Sequence, residues 1–201
     1  MAHVARSTWT HVALVVTVCS YIVASSQPAA QVIGEGARGG SASPRESPSA
    51  SPLDAEGDWP NIHIKDVYTR DAARRALRSA SQWLARPKCQ TLFDEFKDAR
   101  DLPLAAKLGE LHASPEQYLR MVLFLDGAQK STCQIRGILA FTAPGSRVVY
   151  LCGREFERGW RRDSREVQAT IIHELLHSLG LQENPPSPRH ITDRVQRLCW
   201  D

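Results

Sequence analysis

The sequence predicts an α+β domain in which a small mixed or antiparallel sheet packs on helices, and three observations carry that prediction. Apolar residues recur at helical spacing over 70–85 and again over 163–179. Two short strand-like runs, 137–142 and 147–152, are separated only by Ala143-Pro144-Gly145-Ser146. The second helical pattern follows that strand pair closely, so sheet and helix are neighbours in the chain as well as in the expected fold. At 201 residues, 42% of them hydrophobic, the chain suits one globular domain with non-globular ends.

Residues 1–26 read as an export signal. His3 and Arg6 precede an apolar core over 12–24, and Ala24-Ser25-Ser26 offers the small residues that cleavage needs. That core is too short, and too interrupted by Thr17, Cys19 and Ser20, to stay as a membrane span. Val16-Thr17-Val18 ahead of Cys19 lacks the small residues of a lipobox. Residues 27–58 are rich in Ser, Pro, Gly and Ala with scattered charge, and such a chain buries too little apolar surface to offset its ordering entropy. They read as a disordered linker, and the folded domain spans 59–201, beginning near Trp59.

Within that domain, residues 61–67 predict a short extended piece, and Thr69 is expected to cap a helix over 70–85 with Ala73, Leu77, Ala80 and Leu84 inward. Pro87 ends it. A second helix is expected over 89–97, with Leu92, Phe93 and Phe96 in the core, and a third over 102–111. Ser114-Pro115-Glu116 starts a fourth, with Pro at the first helical position. Residues 122–125 are apolar and partly β-branched, and Asp126-Gly127 turns the chain. The runs 137–142 and 147–152 form a hairpin, with Pro then Gly as a type II turn requires. Their apolar residues fall on both faces, which predicts a covered sheet. The run 154–165, five arginines among acidic residues, reads as a solvated loop leading into the next helix. Ser187-Pro188 opens a last helix with Ile191, Val195 and Leu198 inward, ending at Cys199.

The chemistry concentrates in residues 163–184, DSREVQATIIHELLHSLGLQEN. Asp163 with Glu166 three residues later suggests a capping box, and Val167, Ile171, Leu175, Leu176 and Leu179 make the apolar stripe of a helix. Gly180 stands where a left-handed cap reverses the chain. On such a helix His173 and His177, four apart, point two imidazoles at one ion. Zinc held by two His and a third ligand keeps a position open for water and lowers its pKa to about 7. Glu174, one step round, borders that ion and is the candidate general base.

These residues resemble the zincins, zinc peptidases that carry HExxH on the active-site helix. HELLHSLGLQE matches the metzincin spacing HExxHxxGxxH/D, with Glu183 in the third-ligand position. No Met-turn is present, because Met1 and Met121 are the only methionines and both precede the motif. The later glutamate of the gluzincins is missing too, since Glu183 is the only Glu after His177. The resemblance therefore implies a minimal zincin-like fold outside both divisions. It also implies that one strand of the hairpin is an edge strand that pairs with substrate backbone.

Glu183 is the expected third ligand, because Gly180 can return the chain to the helix face; His190 and Asp193 are the alternatives. His190 also has a possible catalytic role, polarising the carbonyl or stabilising the oxyanion, with Tyr150 and Arg194 weaker candidates. Export leaves Cys89, Cys133, Cys152 and Cys199, an even count for an oxidising compartment. Three pairings are possible, and Cys89 with Cys133 plus Cys152 with Cys199 is the one expected. A four-cysteine zinc site is disfavoured because no Cys-x-x-Cys pair occurs.

A formal net charge of +3 is too small and too dispersed for a nucleic-acid partner. The sequence thus leads to a secreted or periplasmic, monomeric zinc metallopeptidase acting on a peptide or protein substrate. It would have no membrane span after signal cleavage, with His173, His177 and Glu183 on the metal. The alternatives are a zincin-like binding domain with a structural or vestigial metal site, and a metal-free binding module.

Overall fold

The structure is a computed structural model that describes Trp59 and residues 61–200; the expected export signal (1–26) and linker (27–58) lie outside the described residues. The chain runs β1 (Ile62–His63), α1 (Val67–Leu84), α2 (Pro87–Glu95), α3 (Leu104–Glu110), α4 (Pro115–Leu119), β2 (Leu123–Asp126), a 3-10 turn (Ser131–Gln134), β3 (Ala140–Thr142), β4 (Val148–Leu151), α5 (Gly153–Arg162), α6 (Ser164–Ser178) and α7 (Pro188–Cys199). The class is α+β. The sheet is mixed, in the order β1-β2-β4-β3, with β1, β2 and β4 parallel and β3 antiparallel on the outer edge.

The centre of the domain is α6. Its residues Val167, Ala169, Ile171, Ile172, Leu175 and Leu176 are buried on several faces, as a helix surrounded by other elements requires. It packs on α1, α5, α7 and β3. Each buried Leu or Ile contributes roughly 1.5–3 kcal/mol relative to exposure. From α1, the face Ala73, Leu77, Ala80 and Leu84 is fully buried, as its spacing predicts.

Several boundaries move. The cap of α1 is Asp66, whose Oδ1 accepts from the Thr69 N–H at 2.7 Å, so this helix starts ahead of Thr69 rather than after it. Pro87 opens α2 instead of merely closing α1, because a missing N–H is harmless at the first helical position. Ser114 and Gln117 form a full capping box on α4. At α6 only half of the expected box is present. Asp163 accepts from the Arg165 and Glu166 amides, while Glu166 pairs with Arg162 instead of reaching back.

The run expected as a solvated loop is largely the helix α5. Pairs at helical spacing, Glu155 with Arg158 and Glu157 with Arg161, support it, and Phe156 is buried beneath. The strands are shorter than predicted, and Gly137 turns the approach to β3 with φ +88°.

The disulfides are Cys89–Cys199 and Cys133–Cys152, which corrects the expected Cys89–Cys133 and Cys152–Cys199 pairing. The reason is tertiary. α2 packs on α7, so Cys89 near the start of one meets Cys199 at the end of the other. Residues 127–139 fold back over the end of β4, where Gly127 N–H donates to Leu151 O and Cys152 N–H donates to Leu139 O, both at 2.9 Å.

Candidate metal centre

A spacing of four on α6 places His173 and His177 one turn apart, with Nε2 atoms 2.9 Å from each other. The reversal at the end of the helix decides the third donor. Gly180, at φ +116°, closes a Schellman motif: its N–H donates to His177 O at 2.8 Å and Leu181 N–H donates to Leu176 O at 3.2 Å. A Cβ at Gly180 would meet Asp98 Cβ at 3.2 Å, so the reversal is tight as well as left-handed. The returning chain brings Glu183 Oε1 to 3.1 Å from His177 Nε2 and 3.4 Å from His173 Nε2. His173, His177 and Glu183 thus form a group able to hold a metal ion.

The outer nitrogens fix the direction of these rings. His177 Nδ1 donates to Leu181 O at 2.8 Å, and a carbonyl can only accept, so the Nε2 of the neutral ring presents its lone pair. His173 Nδ1 lies 3.0 Å from Thr192 Oγ1 on α7. With that nitrogen donating as well, three acceptor atoms face one point. They repel one another unless positive charge sits between them. Tetrahedral bonds of about 2.0–2.2 Å separate donors by about 3.3–3.6 Å, a little more than the 2.9, 3.1 and 3.4 Å found, so the three residues could hold a metal ion after a small outward adjustment. Burial, and then the neighbouring His177, hold the His173 imidazole down at about 4, with Glu183 opposing.

Glu174 is buried beside this cluster. Burial first, and then the charge of Glu183, push its carboxyl up to about 8, partly offset by a hydrogen bond from the Thr142 backbone. That bond comes from the open edge of β3. Because Cys152 donates to Leu139, the pairs 139/152 and 141/150 are the hydrogen-bonded ones, and the amides of Ala140 and Thr142 turn away from β4. The tip of the hairpin is held as well, with Gly145 N–H donating to His177 O at 2.8 Å.

His173, Glu174, His177 and Glu183 share one cleft of about 470 Å³ with Thr132, Ile138, Ala140, Phe141, Thr142, Pro144 and Pro188. The other sequence candidates lie elsewhere. His190 does not enter the cleft; its ring packs edge-on against Phe96 and lines a different groove. The physical reason is the helix period. Thr192 faces His173, and a residue two positions away points about 200° round α7. Asp193 pairs with Arg189 on an exposed face, and Arg194 pairs with Glu95. Tyr150 stacks on Phe141 under Lys130. Thr192 and the Leu181 carbonyl were not anticipated. No spacing marks Thr192, nineteen positions from His173, whereas a Gly-capped HExxH helix already implies a returning carbonyl.

Neither protein-family models, nor curated proteins, nor solved structures give a match to this chain. Among the described residues no helix is long and apolar enough to cross a membrane.

Proposed function

We propose that this protein is a secreted or periplasmic zinc metallopeptidase of zincin type that hydrolyses peptide bonds. The observation that carries the reading is the buried Glu174, which opens into the same cleft as the convergent His173, His177 and Glu183. When bound, zinc supplies a Lewis acid for the scissile carbonyl and an acidified water. His173, His177 and Glu183 hold it, their outer partners Thr192 and Leu181 fixing the rings.

Glu174 takes the proton of the attacking water and returns it to the leaving amine. Its carboxyl lines the same cleft as the three metal-holding side chains, within reach of both proton transfers. The open edge of β3 supports substrate pairing in extended form, with Ala140 offering its amide and carbonyl beside Glu174. Two disulfides suit an oxidising compartment. A binding domain with a structural metal is the second reading, and a general base buried at the metal site is what it leaves without a role.

The test is zinc content and peptide cleavage by the wild type and by Glu174→Gln. The expected outcome is about one zinc per chain in both, with cleavage slowed about 10²–10⁴-fold in the variant. Stoichiometric zinc with no cleavage of a peptide pool by the wild type would transfer the case to the binding domain.

A further inference from the structure

The walls of the cleft carry information beyond the reaction. Apart from the zinc-site residues and Glu174, they consist of Thr132, Ile138, Ala140, Phe141, Pro144 and Pro188 with Thr142. No Lys, Arg or Asp is among the described residues that line it, and a bound divalent ion would offset the carboxylates Glu174 and Glu183, so the cleft holds no surplus charge for a charged side chain to pair with. An acidic side chain finds no Lys or Arg to pair with, and a basic one finds no carboxylate free of the reaction. An apolar side chain finds apolar walls. The volume of about 470 Å³ falls within the range of preformed ligand sites, about 300–1,000 Å³.

One of these walls is built as a unit. Thr132 and Ile138 belong to the segment that Cys133–Cys152 clips to the end of β4. Gln134 Nε2 donates to Ala128 O at 3.0 Å, and a Cβ on Gly127 would stand 2.6 Å from Cys133 Sγ, so only glycine lets the clip close. Ile135, in the same segment, is an exposed large apolar side chain. A wall held by a covalent bond and by hydrogen bonds keeps its shape before ligand arrives, which reduces the ordering required on binding.

We infer that the cleft selects peptides with an apolar side chain beside the scissile bond, and that the disulfide-clipped segment 131–138, through Ile138, is the wall that selects them. This rests on the peptidase reading and deepens it. Ile138 acts on substrate choice and not on the metal.

The experiment uses the full-length, oxidised, zinc-supplemented protein and a peptide series with Leu, Phe, Asp or Lys next to the cleaved bond. Leu and Phe peptides are expected to exceed the Asp peptide in kcat/KM by about tenfold or more. Ile138→Lys should lower the apolar peptides mainly through KM and raise the Asp peptide, a gain that mere misfolding cannot produce. Ile138→Ala, a milder change, should weaken the Phe peptide alone if the lysine variant does not fold. Binding of the same peptides to Glu174→Gln, read by fluorescence anisotropy, should rank them identically without turnover. Cleavage with no apolar preference, or with a preference that both Ile138 variants leave unchanged, overturns the inference while the peptidase reading stands. Ranked binding without wild-type cleavage does the reverse, removing the peptidase reading and leaving the selecting wall in place.

Discussion

His173 Nδ1 stands 3.0 Å from Thr192 Oγ1, so an imidazole on α6 that faces the metal position is oriented by a hydroxyl on the second turn of α7. Losing such a partner typically weakens metal binding about 10–100-fold. Thr192→Val, nearly the same shape without the hydroxyl, should show that loss in competition against a chromophoric chelator. Thr192→Ser should retain wild-type affinity. Equal affinity in all three proteins would show that the hydroxyl does not hold the ring.

Glu183→Ala leaves two histidines at a site that needs a third protein ligand. Its zinc occupancy after dialysis against a weak chelator should fall below that of Thr192→Val. Asp193→Ala is the control, because its carboxylate faces Arg189 on the surface. Its occupancy should match the wild type.

The metal-free protein should have a stability maximum set by two buried groups. His173 sits at about 4 in the fold against 6.5 when unfolded, so the unfolded chain binds more protons between those values and stability rises with pH across them. Glu174 sits at about 8 against 4.5, so there the fold binds more protons and stability falls as pH rises. Between pH 4.5 and 6.5 the two slopes oppose each other. Above 6.5 only Glu174 of the two acts, and the unfolding free energy from urea titration should decline by at most about 1.4 kcal/mol per pH unit up to pH 8. Added zinc favours the ionised carboxylate, so it should flatten that decline.

The two disulfides should differ in weight. Cys89–Cys199 joins residues 110 apart and Cys133–Cys152 residues 19 apart. Loop-closure entropy makes the first about 1.5 kcal/mol more stabilising. The double alanine variant at Cys89 and Cys199 should therefore lose about 2–5 kcal/mol in guanidinium unfolding. It should also bind zinc more weakly, because the released α7 carries Thr192.

What was legible in the sequence is what local physics dictates. His173 and His177 share a face because the helix period puts them there, and Gly180 reverses the chain because a residue at positive φ ends a helix. The apolar stripe of α1 and the Pro144-Gly145 turn are local in the same sense. Where local signals competed, boundaries slipped. The arginines of 154–165 masked the apolar line of Phe156 and Trp160, so α5 read as loop.

The sequence by itself determined the HExxH helix, its reversal and the hairpin ahead of it, since each depends on residues a few positions apart. Only the tertiary structure decided that Cys89 meets Cys199 and that β3 is the open edge. It alone put Thr192 rather than His190 towards α6 and brought Ile138 into the cleft with Glu174. Those contacts join elements distant in the chain. They depend on which helix packs on which, a relation that spacing along the sequence does not carry.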